Sequence, residues 1–358
     1  MLQLPNELIL EIAELLDTQT SLNHLAQVNR YLYNLLNPYL YSENGRAFRS
    51  TALLWAAQHG KLRSAQLALE AGANLSHMDE EGLTPLSLAC LYDQTDVSSA
   101  EYRHIEIVKL LLSNDSTDPN SPDVYGRSAL WYAAFRGRAT LVSMLLSHPG
   151  LERNSVDKSN WTPLQCAAAV GHSAVVELLL ASRADANCAD NFRRTPLIWA
   201  ACHGHAESVD VLLRNGANAE ARDRFGRTAL SFAAANGRTS VTQRLLRENI
   251  VDIDSKDSSG RTPLSWAAGG GHAGAVNLLI SAGAALSLSD SHGWTPLSYA
   301  VVEHHRHVAF VLCSSRVPVE LSVAERHCRA RYRTNRKLSE YSKQWILLCI
   351  LKMSVSGN

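Results

Sequence analysis

Residues 195–217 read Thr195-Pro196-Leu197-Ile198-Trp199-Ala200-Ala201-Cys202-His203-Gly204-His205, then Ala206-Glu207-Ser208-Val209-Asp210-Val211-Leu212-Leu213-Arg214-Asn215-Gly216-Ala217. The stretch spells two short helices joined by a tight corner. Thr195 is a good N-cap, because its hydroxyl can accept one of the backbone N–H groups that a helix start leaves unpaired. Pro196 sits in the first turn, where the missing N–H costs nothing and φ is already helical. The paired alanines let a neighbouring backbone come close, and Gly204 accepts the left-handed conformation that ends a helix. Val209, Leu212 and Leu213 then give the second helix an apolar stripe at helical spacing. Gly216-Ala217 turns the chain towards a hairpin near Asp223.

The same phrase recurs outward in both directions. Starts at Thr51, Thr84, Ser128, Thr162, Thr195, Thr228, Thr262 and Thr295, each followed by Pro-Leu or Ala-Leu, are separated by 33, 44, 34, 33, 33, 34 and 33 residues. Glycines at 60, 137, 171, 204, 237 and 271 close the first helix of most units. A fixed period of this length marks a stacked repeat, in which each unit buries its apolar face only against its neighbours. The pattern resembles the ankyrin repeat. That resemblance implies an all-α solenoid of about eight helix-pair repeats with β-hairpin turns, spanning residues 50–313. The 44-residue step places about ten extra residues in 91–103, and an insertion of this kind is expected on a surface loop.

Residues 4–36, within a segment 1–42 that precedes the repeats, do not follow the repeat. Leu8, Ile12, Leu15 and Leu16 fall at amphipathic spacing, and Leu22, Leu25, Val28, Leu32, Leu35 and Leu36 predict one or two further short helices before Pro38. Three short helices cannot bury enough apolar surface to stand alone, so they must dock on the first repeat or on a partner. Leu4-Pro5-x-Glu7-Leu8-x-x-x-Ile12, followed by Leu22-x-x-Leu25-x-x-Val28-Asn29-Arg30-x-Leu32, resembles the F-box. The resemblance implies a short three-helix F-box that docks on the Skp-type adaptor of a cullin-RING ubiquitin ligase. Its adaptor contacts would be Leu4, Pro5, Leu8, Ile12, Leu16, Val28 and Arg30. The competing reading is a helical cap on the repeat array. Residues 43–49 read as a linker.

Lys plus Arg and Asp plus Glu both number 34, so no overall charge points to nucleic acid or an anionic membrane. The ends differ: residues 1–42 hold one basic and four acidic side chains, and residues 316–352 hold nine basic and three acidic. The tail, residues 314–358, includes the run Arg326, Arg329, Arg331, Arg333, Arg336 and Lys337, followed by an apolar stretch Trp345–Leu351 far shorter than the ~20 residues that span a bilayer. The seven cysteines are scattered and never spaced C-x-x-C, which suggests a reducing compartment rather than a disulfide framework. The N-terminus lacks a basic segment and carries acids within its apolar stretch, which argues against a secretory signal. A cytoplasmic or nuclear location is expected.

Cys202-His203-Gly204-His205 invites a metal reading, but it occupies the Gly-His corner that recurs at Gly171-His172 and Gly271-His272. These histidines are expected to bond backbone groups. His304, His305 and His307 lack the Cys or carboxylate that would complete a zinc set. Trp55, Tyr132, Trp199, Phe232, Trp266 and Tyr299 share one register, four residues after each start, and read as packing between repeats. With no phosphate loop, nucleophile elbow or kinase motif, neither an enzyme nor a cofactor is expected.

In ankyrin proteins the partner side is formed by hairpin tips and the ends of first helices. The resemblance therefore places target contacts at Tyr125, Arg127, Phe135, Arg136, Trp161, Phe192, Arg194, His203, Phe225, Arg227 and Asn236. Arginines and aromatic rings recur there, the composition of interface hot spots. The expected function is a non-catalytic substrate receptor of a cullin-RING ligase, with an unknown protein target, no small-molecule substrate and no membrane. A scaffold without a ubiquitin link is the alternative, and a nucleic-acid role through the basic tail is the third reading.

Overall fold

The structure is a computed structural model, which describes residues 46–92, 98–247 and 250–314. The F-box readings at Leu4 through Arg30 and the readings of the tail beyond Ser314 lie outside the described residues. The chain falls into two compact units, Met1–Lys158 and Ser159–Asn358.

The described part of the first unit holds α1 (Arg46–Gln58), α2 (Leu62–Glu70), α3 (Pro85–Leu91), α4 (Ser98–Leu112), α5 (Ala129–Phe135) and α6 (Ala139–Ser147). The second holds α7 (Pro163–Val170), α8 (Ser173–Ala181), α9 (Pro196–His203), α10 (Ala206–Arg214), α11 (Ala229–Ala235), α12 (Thr239–Arg247), α13 (Pro263–Gly269), α14 (Ala273–Ser281), α15 (Pro296–Val302) and α16 (Arg306–Ser314). These sixteen helices are eight consecutive pairs, and no strand occurs among the described residues. The turns between pairs are hairpins closed by backbone bonds at their ends rather than by paired strands.

Local chemistry sets each first helix. Thr84, Ser128, Thr162, Thr195, Thr228, Thr262 and Thr295 all cap by accepting an N–H from three residues on. At Thr162 the cap is reciprocal, because Gln165 Oε1 accepts from the Thr162 N–H. Thr51 is the exception. Helix α1 begins at Arg46, inside the stretch read as a linker, so Thr51 lies mid-helix.

Of the insertion, residues 93–97 lie outside the described residues, whereas 98–103, expected in a loop, are helical. α4 starts at Ser98, six residues before His104, and runs 15 residues where the other second helices run nine. No Gly or Pro interrupts the chain between Tyr92 and Asp118, so helix propagates into the insertion.

Within each unit, first helix stacks on first helix and second on second. In the second unit the paired alanines at 167–168, 200–201, 233–234 and 267–268 have no solvent exposure, which is what permits the close approach of α7, α9, α11 and α13. Val175, Val176, Leu179, Val209, Leu212, Val241, Leu245, Val276 and Leu279 are fully buried between the second helices. Each such Val or Leu contributes roughly 1.5–3 kcal/mol of transfer free energy.

The corners are stitched across repeats. Gly171, Gly204, Gly237 and Gly271 all have positive φ, from 63° to 93°. At each of these first-helix ends a side chain of the following repeat binds a carbonyl that the helix leaves unpaired. His205 Nε2 lies 3.0 Å from Ala169 O, Arg238 Nε donates to Cys202 O at 3.1 Å, and His272 and His305 reach Ala235 O and Gly269 O at 3.0 Å each. In the first unit His104 reaches Gln58 O at 3.3 Å. His205 and His305, which the sequence offered as metal-like, thus serve the backbone.

Candidate protein-binding face

The hairpins that precede α5, α9, α11, α13 and α15 are organised by one aspartate each. In the second unit, Asp190 Oδ1 accepts from Phe192 N and Arg194 N at 2.8 Å each, and its Oδ2 accepts from Trp199 Nε1 at 3.2 Å. Asp257 repeats this with Ser259 N, Arg261 N and Trp266 Nε1, at 2.9, 2.9 and 3.0 Å. Asp290 does so with His292 N, Trp294 N and the Tyr299 hydroxyl, at 2.9, 2.8 and 2.5 Å. Phe232 has no polar edge, and at Asp223 the role falls to Arg227, whose Nε and Nη2 donate to Oδ2 at 3.0 and 2.8 Å. In the first unit Asp123 takes both partners, the Tyr132 hydroxyl at 2.6 Å and Arg127 Nε at 2.8 Å.

Tyr132, Trp199, Trp266 and Tyr299 therefore do more than pack between repeats: each ties a hairpin to the helix it precedes. Sequence reasoning placed hairpins near such aspartates but missed their bonding role. The signal was present, since an Asp stands nine residues before Tyr132, Trp199, Phe232, Trp266 and Tyr299 alike.

The electrostatics follow. Burial alone would raise the Asp123 carboxyl, but hydrogen bonds from the Tyr132 hydroxyl and from the Arg127 and Tyr125 groups outweigh it and hold the carboxyl below its ordinary value. Asp290 is depressed in the same way by Tyr299, Trp294 and His292 against its own burial. Tyr132 and Tyr299 are pushed up by burial first and then by the carboxylates they serve, so both keep the proton they donate.

Three of the arginines expected to contact a target, Arg127, Arg194 and Arg227, are already engaged underneath. Arg127, Arg194 and Arg227 pair with Asp123, Asp190 and Asp223 at 2.7, 3.5 and 2.8 Å. Each guanidinium also lies over rings: Arg194 is 4.6 Å from the Phe192 centroid and 4.4 Å from Trp199, and Arg227 is 5.2 Å from Phe225 and 4.3 Å from Phe232. Arg127 lies over Tyr125 at 4.4 Å.

The rings at the tips are the exposed partners of these pairs. Tyr125 is 55% exposed, Phe192 45% and Phe225 52%. Phe135 is exposed and stacks on Trp131 at 5.3 Å, with Arg136 exposed beside it. Trp161 is half-buried against Trp199 at 4.6 Å. His203 stacks on the other end of that group, 5.6 Å from Trp199, with Nδ1 bonded to Trp199 O at 3.1 Å. Asn236 is exposed and donates to Phe232 O at 2.9 Å, closing its own helix.

In the second unit the structure thus brings Trp161, Phe192, Arg194 and His203 together around Trp199, and Phe225 with Arg227 around Phe232. In the first it joins Tyr125 to Arg127, and Phe135 stacks on Trp131, which lies 5.5 Å from Arg127.

Comparison with protein families agrees with this architecture. Models described as ankyrin repeats match residues 97–190, 169–257 and 230–322, and a further ankyrin-repeat model matches 53–102. The chain belongs to the ankyrin-repeat family. A model described as F-box-like matches residues 1–44, so this is an ankyrin-repeat chain with an F-box-like region at its N-terminus. Both are protein-interaction modules, and the face just described carries the exposed rings Tyr125, Phe192 and Phe225.

Proposed function

We propose that this ankyrin-repeat chain is a substrate receptor of a cullin-RING ubiquitin ligase. Residues 1–42 dock the Skp-type adaptor through Leu4, Pro5, Leu8, Ile12, Leu16, Val28 and Arg30. The repeats hold a protein target for ubiquitin transfer by other subunits, in the cytoplasm or nucleus. The observation that supports this is the order of the two matches, F-box-like over 1–44 and ankyrin repeats from residue 53 onward. One end then recruits the transfer machinery, while the rest presents a surface of rings and guanidinium groups. The chain contributes position rather than chemistry: its tip carboxylates and the corner residues His104, His205, His272 and His305 are taken up in internal bonds.

The test replaces Leu8 and Ile12 with Asp. Charges placed in a desolvated interface abolish binding. The repeats stay folded, since their stability is a sum over units and neighbour interfaces. Adaptor copurification is expected to disappear with the helical circular dichroism unchanged. Full adaptor capture by the folded double variant would refute the reading and leave a scaffold.

A further inference from the structure

Charge in the second unit is segregated. Residues 159–314 hold thirteen basic and thirteen acidic side chains, yet residues 190–194, 222–227 and 256–261, the tips of three successive repeats, hold seven basic and three acidic. The three acids are Asp190, Asp223 and Asp257, whose oxygens are taken by the backbone, ring and guanidinium donors described above. Asp190 and Asp223 have side-chain exposures of 1% and 0%. Arg193 and Arg224 stand exposed at the tips, and each is adjacent in sequence to an exposed ring, Phe192 or Phe225.

The two tips are joined directly, Arg224 N donating to Phe192 O at 2.8 Å, and the next is joined by Ser258 N to Phe225 O at 2.9 Å. The backbone bonds fix the tips in register. Arg194 and Arg227 hold the rings by cation–π contact, so the side chains that would meet a partner are positioned before it arrives.

From this arrangement we infer that the second unit's tips recognise an extended acidic segment of the target protein in which apolar residues recur at about every third position. The proposal deepens the receptor reading and rests on it. Stacked helical units lie about 8–10 Å apart, and an extended chain advances about 3.3 Å per residue, so consecutive tips meet residues about three apart. Phe192 and Phe225 take the apolar residues, while Arg193 and Arg224 take the acids between them. A protein segment is favoured over a nucleic acid because the acids excluded from the tips remain on the same unit: Asp185 and Asp252 are exposed and Glu220 half-buried beside the hairpins, and they would repel a continuous phosphate backbone.

The experiment uses the full chain and a fluorescein-labelled twelve-residue peptide, Glu-Glu-Phe repeated four times, followed by anisotropy at about 50 and 300 mM NaCl. Controls are the same peptide with Lys for Glu and a single-stranded oligodeoxythymidine of equal charge. Binding of the acidic peptide is expected, weakening with salt. It should fall at least about tenfold in Arg193→Glu/Arg224→Glu and in Phe192→Ala/Phe225→Ala, neither of which removes an internal hydrogen bond of the tips.

No binding by the acidic peptide, equal binding by the Lys peptide, or indifference to both double variants would overturn the proposal. Tighter binding of the oligonucleotide would overturn it in favour of a polyanion site. Skp-type adaptor capture by the same two variants is read in parallel. Retained adaptor with lost peptide binding supports the tips as the target surface. Retained adaptor with no peptide binding by the unaltered chain sinks this proposal and leaves the receptor reading standing.

Discussion

Replacing Gly171 with Ala tests the corner mechanism directly. Gly171 has φ 93°, and a Cβ built on it would fall well inside van der Waals contact with the His205 ring, whose Nε2 bonds Ala169 O. Two penalties follow. An L-residue held in the left-handed region costs roughly 1–2 kcal/mol, and displacing His205 forfeits a hydrogen bond worth about 0.5–1.5 kcal/mol. Gly216 supplies the control: its φ is 82°, but a Cβ there meets nothing within 4 Å. Gly171→Ala should therefore cost about 1.5–3.5 kcal/mol, about 0.5–1.5 kcal/mol more than Gly216→Ala at about 1–2 kcal/mol. In a His205→Ala background the difference should vanish, because the bond is already gone. Urea midpoints of the full chain measure the totals, and hydrogen exchange of the α7 and α9 amides localises the loss. Equal costs at the two glycines, or an excess at Gly171 that survives removal of His205, would refute the claim that the histidine corner couples adjacent repeats.

Two further expectations concern the hairpins. Asp123 and Asp290 are held below their ordinary pKa, so the folded chain binds protons at these sites less readily than the unfolded chain does. Their stabilisation is fully present above the ordinary carboxylate pKa of about 3.9 and is lost as pH falls below it. Urea midpoints between about pH 6 and 3 should show that loss, flattened in Tyr132→Phe and Tyr299→Phe, and an unflattened profile would contradict it. Alanine at the exposed Phe135 or Phe192 should shift stability by less than about 1 kcal/mol, whereas Trp161→Ala, which strips a ring from Trp199, should cost about 1–2 kcal/mol. A large thermal destabilisation from Phe192→Ala would make that ring core rather than surface.

Much of the fold was legible because its determinants are local and repeated. The Thr cap, the Pro at the first turn, the alanine pair and the closing glycine each act within one or two turns of helix, and they recur at a period that only a stacked array explains. The Gly-His corners were legible for the same reason, and Tyr125, Phe192 and Phe225, expected at the tips, are exposed there.

The sequence alone left undetermined whatever depends on groups brought together from different elements. Arg127, Arg194 and Arg227 read as open contacts, but folding places each over a buried aspartate, and only the tertiary structure shows that Arg193 and Arg224 stand exposed beside the tip rings. The insertion read as a loop because its length broke the period; helix propagation through 98–103 depends on α4 having its following turns already packed. A period fixes what each residue does within its own repeat, whereas burial, pairing and exposure belong to the neighbours that stacking supplies.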